Sequence, residues 1–413
     1  MLNFFLPFCR IGTRRFDPEA FQEPANKWFC SELIVAALQS GGYFTDQEAR
    51  ATSPNDLYRL CSYNDVSALR FHSQSMAVHE WACRALQNLT SSSTSAEVKA
   101  GEAGVVEALV ASMNTWRTCA AVQQRTFAAL REITRSGGSI ENRLRARGAG
   151  AIEAAISVMK ASPESAEVQK NTLAFFEGIL DRDEDDRIRA VIAGFIETAV
   201  AAMRALPRDL TVHSRACAAL KSMSVHTAFT DKDLLEQARL RMTKAGTFEV
   251  LVAMMRLHEG KASVQSDSCG VIAYILIEQS SGKEEYQNRV AQAGGVGAIV
   301  EALKTHPRSA DVQFRACQAL AKLVDYRPVY QRSAGEAGAV KLVAESLRAH
   351  ATVANVQESA IIALSNLVNG VSTNQDRANQ EGVKELAETA STTHSGNADV
   401  VFEARKLIER LAA

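Results

Sequence analysis

The sequence predicts an all-α solenoid of three-helix repeats preceded by a small non-repeat segment. Three observations carry this. A valine-led segment recurs eight times along the chain, a glycine stands at a constant distance before every copy after the first, and 413 residues exceed what one compact core organises.

The copies read VHEWACRALQNL from Val78, VQQRTFAALREI from Val122, VQKNTLAFFEGI from Val168 and VHSRACAALKSM from Val212. They continue as VQSDSCGVIAYI from Val264, VQFRACQALAKL from Val312, VQESAIIALSNL from Val356 and VVFEARKLIERL from Val400. The marker glycines are Gly104, Gly150, Gly194, Gly246, Gly294, Gly338 and Gly382, each 18 residues before its valine. Valine-to-valine steps are 44, 46, 44, 52, 48, 44 and 44, so the extra residues, near 226–245 and 278–290, fall between units.

With the valine as position 0, apolar residues recur at positions 5, 8 and 11, as in Val312, Cys317, Leu320 and Leu323, which is one face of a helix. Position 4 is always small: Ala82, Thr126, Thr172, Ala216, Ser268, Ala316, Ala360 and Ala404. A small residue there lets one helix approach the next repeat closely. The glycine makes the bend before a second apolar helix, and a short helix such as EEYQNRVAQ precedes it, giving three helices per unit.

Such a unit of about 44 residues, one short helix and two longer ones, resembles the armadillo repeat over residues 65 to 413. The resemblance implies a right-handed superhelix whose third helices line a concave groove holding an extended or helical partner segment. The expected domains are an N-terminal segment, 1–63, and a repeat array, 64–413, of about eight units.

Positions 3, 6 and 10 of the valine helices point away from the apolar face and are the candidate groove positions. The candidate partner-binding residues are Trp81, Asn88, Arg125, Asn171, Arg215, Asp267, Tyr274, Arg315, Lys322 and Asn366. Arginine suits bidentate pairing with carboxylate or phosphate, asparagine a peptide backbone, and the aromatics apolar contact. Each alone is also an ordinary solvated polar residue; the row is what suggests an acidic or mixed-charge peptide. Armadillo-family nuclear-import adaptors carry tryptophan at position 6 and asparagine at position 10. This chain has no tryptophan at position 6 and keeps the amide only at Asn88 and Asn366, so a nuclear-signal ligand is not expected.

Cys83, Cys217, Cys269 and Cys317 share position 5 and are expected to fill the core. His258, His306, His350 and His394 each follow a marker glycine by 12 residues. They are expected to cap the second helix, because stacked helices ~8–10 Å apart do not bring such rings onto one ion. The run Asp181, Asp183, Glu184, Asp185 and Asp186 lacks the glycine and glutamate of a calcium loop and is expected to be a solvated loop. No metal and no cofactor are predicted.

Residues 1–63 carry no repeat. NKWFCSELIVAALQSGGYF and ATSPNDLYRLC resemble the cysteine-bearing end of circularly permuted papain-like hydrolases of the NlpC type. The resemblance implies that Cys30 is the nucleophile at a helix N-terminus, with a histidine base upstream. No histidine precedes His72, so the segment is expected to be a remnant or cap and the chain is expected not to be an enzyme.

Lys plus Arg is 46 and Asp plus Glu is 47, so charge draws the chain neither to nucleic acid nor to anionic membrane. The longest apolar runs, such as Val271 to Ile277, fall far short of the ~20 residues that span a bilayer. The opening MLNFFLPFCRIGTRR reverses the charge order of a secretory signal, and the cysteines form no CxxC pair, so a cytoplasmic or nuclear location is expected. The predicted function is a protein-interaction scaffold; the alternative is the repeat-bearing part of a cysteine hydrolase whose array recruits substrate.

Overall fold

The computed structural model describes residues 10–11, 14–15, 79, 82–83, 86–87, 94–134, 140–181, 183–224, 232–276 and 282–412. Its regular structure is helical apart from a two-residue antiparallel pairing of β1 (Arg10–Ile11) with β2 (Arg14–Arg15). The chain divides into two compact units, Met1–Ile179 and Leu180–Ala413, a division inside the repeat array; the boundary expected after residue 63 lies outside the described residues.

The first unit holds two complete repeats. One comprises α1 (Thr94–Glu102), α2 (Val105–Thr115) and α3 (Ala120–Ile133); the other comprises α4 (Ile140–Gly148), α5 (Ala151–Ala161) and α6 (Ala166–Leu180), which ends at the unit boundary. Residues 79, 82–83 and 86–87 of the first valine segment are also helical.

The second unit holds five repeats. They are α7 (Glu184–Ala193), α8 (Phe195–Ala205) and α9 (Leu210–Ser222); α10 (Lys232–Lys244), α11 (Thr247–Leu257) and α12 (Ala262–Ile275); and α13 (Lys283–Gln292), α14 (Gly295–Thr305) and α15 (Ala310–Val324). Then come α16 (Pro328–Glu336), α17 (Ala339–Ala349) and α18 (Ala354–Val368), and finally α19 (Ser372–Gln380), α20 (Val383–Thr393) and α21 (Ala398–Ala412). The first helix of the repeat with the longest step, α10, has 13 residues where the other first helices have 9 or 10.

Every marker glycine joins the first helix to the second in the left-handed region, with φ between 64° and 89°. A Cβ there is strained against the following carbonyl, which is why glycine recurs. Position 4 is buried in all eight segments, so the third helices pack on residues no larger than threonine. The position-5 cysteines Cys83, Cys217, Cys269 and Cys317 are buried core, as their position predicts.

Polar rungs lock the helices. The glutamine after the valine is buried and turns back to its own second helix. Gln123, Gln169, Gln265, Gln313 and Gln357 each donate Nε2 to two carbonyls at that helix's C-terminus, at 2.8–3.1 Å. These carbonyls lack intrahelical partners, so one amide satisfies two of them. Between repeats, Arg145–Glu107, Arg241–Glu197 and Arg289–Glu249 pair a first helix with the preceding second helix.

Two expectations are corrected. The four histidines do terminate their second helices, but the ring does not cap its own helix. Nε2 donates to a carbonyl of the preceding repeat, Pro207, Glu259, Pro307 and Ala351 in turn, at 2.7–2.9 Å. The imidazole is long enough to reach the neighbouring turn and satisfy an acceptor there. Of the acidic run only Asp181 lies in an exposed turn: Asp183 caps α7 by accepting the Asp185 N–H at 2.9 Å, and Glu184, Asp185 and Asp186 fill its first turn. Carboxylates are stabilised there by the positive end of the helix dipole.

His213 replaces the glutamine clamp in α9. It is buried, bonds the Ser268 hydroxyl of α12 through Nε2 at 3.1 Å, and approaches Cys217 Sγ at 3.5 Å. Burial, reinforced by the nearby His258 and opposed by a backbone hydrogen bond at Val264, lowers its pKa from 6.5 to about 4. The ring folds neutral and protonates readily when unfolded. Its contribution to stability is therefore complete above pH 6.5 and is lost as pH falls from there towards 4, on the order of 3 kcal/mol in all.

Two predictions follow from these contacts. His213→Gln restores the double clamp and flattens the loss of stability between pH 6.5 and 4; urea unfolding at stepped pH checks this, and an unchanged slope assigns the titration to other groups. Gly338→Ala, at φ 87° with open space around it, lowers unfolding free energy by about 1–2 kcal/mol through backbone strain alone. Gly260→Ala, equally uncrowded and not in the left-handed region, leaves the urea midpoint unchanged or slightly higher.

Candidate peptide-binding face of the third helices

The candidate residues divide between the two units. In the first, Arg125 on α3 and Asn171 on α6 are half-buried, and Asn171 Nδ2 donates to the Glu167 carbonyl of its own helix at 2.7 Å. Trp81 and Asn88 lie outside the described residues, as does Cys30.

In the second unit the row runs over α9, α12, α15, α18 and α21. Arg215, Asp267, Tyr274, Arg315 and Lys322 are all half-buried. That exposure follows from the helix geometry: positions 4, 5 and 8 face the neighbouring helices, leaving positions 3, 6 and 10 at the rim of the contact. A half-buried charge is screened less by solvent than a fully exposed one and interacts more strongly with a bound segment.

The structure brings Tyr274 and Arg315 together. Arg315 Nη1 donates to the tyrosine hydroxyl at 3.4 Å and to Gln318 Oε1 at 3.2 Å, and its guanidinium lies 5.7 Å from the Tyr274 ring centroid and 4.5 Å from that of Phe314. Asp267 lies near them without forming an ion pair with Arg315. Burial pushes its carboxyl above the usual range and Asp311 adds to this, while a hydrogen bond from Ser214 and the charges of Lys221 and Arg315 oppose it.

Asn366 differs from the rest of the row. It is buried, its Nδ2 donates to the Ala321 carbonyl of the preceding third helix at 3.0 Å, and its Oδ1 accepts from Arg410 at 3.3 Å. Arg410 also donates to the Ser365 carbonyl and hydroxyl at 2.8 and 2.9 Å. This amide joins three successive third helices and is occupied by them.

Phe314 and Lys221, which flank the row, are missing from the sequence-based set. Around the helix, Phe314 at position 2 lies about 40° from position 6 and Lys221 at position 9 about 60° from it. A wider arc of the helical wheel would have included both. Further along, burial raises the carboxyl of Glu358 at the start of α18, and Asp399 and Glu403 raise it further.

Among the described residues no helix is long and apolar enough to cross a membrane, and no group of three or more His, Cys, Asp or Glu side chains is placed to hold a metal ion.

Comparison with known proteins agrees with this architecture. No curated protein matches the sequence. Among solved structures, an engineered protein is 22% identical, with a TM-score of 0.64 over 93% of this chain and 99% of that one. A designed armadillo repeat protein in complex with the peptide (KR)4 is 18% identical, with a TM-score of 0.50 over 63% of this chain and 99% of that one. A chain from work on a conserved phosphorylation switch controlling the interaction between cadherin and beta-catenin is 14% identical, with a TM-score of 0.72 over 96% of this chain and 75% of that one. At these identities the likeness establishes the armadillo fold. The family model of the LRRK2 ARM repeat matches residues 177–403, more than half of the sequence, and the chain belongs to that armadillo-repeat family.

Proposed function

We propose that this chain is a protein-interaction scaffold that takes up an extended or helical segment of a partner protein along the third helices of the Leu180–Ala413 unit. The observation that carries the reading is the row of half-buried charged and aromatic side chains on successive third helices, Arg215, Asp267, Tyr274, Arg315 and Lys322. Rows of this kind present regularly spaced contacts to an extended ligand, and partly desolvated charges make stronger hydrogen bonds than solvated ones.

The mixture of signs favours an acidic or mixed-charge segment. A near-neutral net charge gives no support to nucleic acid as the ligand. That a designed protein of this fold holds the peptide (KR)4 supports peptide binding as a use of the architecture, while the arginines here select for a different charge. Arg125 and Asn171 are the corresponding residues of the first unit. No catalytic role is proposed. The hydrolase alternative rests on the sequence around Cys30 alone. A cytoplasmic or nuclear setting, with reduced thiols, is part of this reading.

The test is affinity capture from an extract of the source organism, with wild-type chain compared against Arg215→Glu combined with Lys322→Glu. Circular dichroism establishes that both are folded. The expected result is a defined set of proteins that the wild type retains and the variant loses. An identical set for both proteins takes the binding site off the third helices.

A further inference from the structure

Arg315 differs from the ion-paired cations of the second unit. Lys283 pairs with Asp325 at 2.5 Å, Arg327 with Glu284 at 2.5 Å, Arg241 with Glu197 at 2.8 Å and Lys406 with Glu403 at 3.2 Å. Arg315 forms no ion pair among the described residues. Its hydrogen bonds go to two neutral oxygens, Tyr274 Oη and Gln318 Oε1, and both use Nη1. A guanidinium carries five N–H donors, so the Nε and Nη2 edge keeps its capacity for a bidentate anion.

The side chain is already held in place. It lies against the rings of Phe314 and Tyr274 and crosses Gly270, where a Cβ would stand 3.7 Å from Arg315 Cδ. The absence of a side chain at position 6 of α12 gives the arginine a flat floor. Much of the rotamer freedom of Arg315 is spent in the free protein, so pairing with a carboxylate costs little further ordering.

The surroundings restrict what sort of anion fits. Asp267 and Asp311 stand near the arginine, and Glu358 opens the next third helix, backed by Asp399 and Glu403. A run of negative charges would be repelled on both sides, whereas a single carboxylate beside neutral or basic residues would not. Third helices packed ~8–10 Å apart correspond to about three residues of extended chain at ~3.3 Å each.

We infer that Arg315 is the anchor of a mixed-charge peptide subsite. It takes one carboxylate side chain of the partner segment on its Nε and Nη2 edge, and a basic side chain about three residues away along the partner meets Glu358. The inference rests on the third-helix reading above and adds to it the charge pattern of the segment.

The test uses the full chain and fluorescence anisotropy with labelled twelve-residue Ser/Ala peptides. These carry one Glu and one Lys three residues apart in either order, two Glu, or two Lys; octaglutamate is the polyanion. One order of the Glu/Lys pair is expected to bind at least about ten-fold more tightly than the other three compositions, the size of a charge-assisted bidentate contact. Arg315→Gln, folded by circular dichroism, removes the preference for the Glu-bearing peptide. Arg315→Glu makes the two-Lys peptide the tighter ligand, and Glu358→Gln removes the preference for the lysine.

An unchanged ranking in Arg315→Gln, octaglutamate as the tightest ligand, or no binding by any peptide overturns the inference. Proteins captured by the wild type, lost with Arg215→Glu and Lys322→Glu but retained with Arg315→Gln, overturn it while leaving the scaffold in place. Capture unaffected by any of these changes removes the third-helix reading itself.

Discussion

Successive third helices in each unit meet with a buried side chain no larger than threonine at position 4, and the rest of the architecture follows from how closely that lets them pack. Ala216, Ser268, Ala316, Ala360 and Ala404 are buried at this contact in the second unit. Thr126 and Thr172 fit in the first because their hydroxyls fold back onto the carbonyls of Val122 and Val168, at 2.8 Å in each case. A larger residue would part the helices and expose the flanking apolar positions. With the backbones close, position 3 lies beside a neighbouring helix, which is why its charged side chains are half-buried.

Apolar faces alone leave room for sliding, since hydrophobic burial has no direction. Direction comes from polar rungs at the helix ends: the glutamine clamps, the histidines that reach back one repeat, and the Arg–Glu pairs along the second helices. Arg204 adds another by donating to the Ala245 and Gly246 carbonyls at 2.7 and 3.2 Å, at the corner of the following repeat. Where a rung departs from the pattern, chemistry changes with it, as at His213, whose burial makes this stretch sensitive to acid.

Reactivity and recognition are kept apart in the same helices. Position 5 faces the core, and burial drives the Cys217 and Cys269 thiols far up and that of Cys317 to about 12, so these sulfurs stay protonated and inert. Position 3 faces the rim and carries Arg215, Asp267 and Arg315. Two residues along a helix turn the side chain by about 200°, enough to separate a sealed core from an accessible surface.

The order of helices within a repeat, the glycine corners, the small position 4 and the buried cysteines were all legible in the sequence, because each answers to a local rule of backbone conformation or helical period. Those rules act within about a turn of helix, so repetition displays them directly. The histidines and the acidic run show where local reasoning stops: both were placed correctly in the chain, but their partners lie across a repeat boundary or in the turn that follows. The candidate row was legible as positions and not as contacts. Nothing local distinguishes Asn366, held by Ala321 and Arg410, from an asparagine open to a ligand, or Arg315, stacked on Phe314 and Tyr274, from a solvated arginine. The sequence by itself determined the repeat and the face each side chain occupies; only the tertiary structure decided which of those side chains already have partners, because partners more than 40 residues away meet through the packing of one repeat on the next.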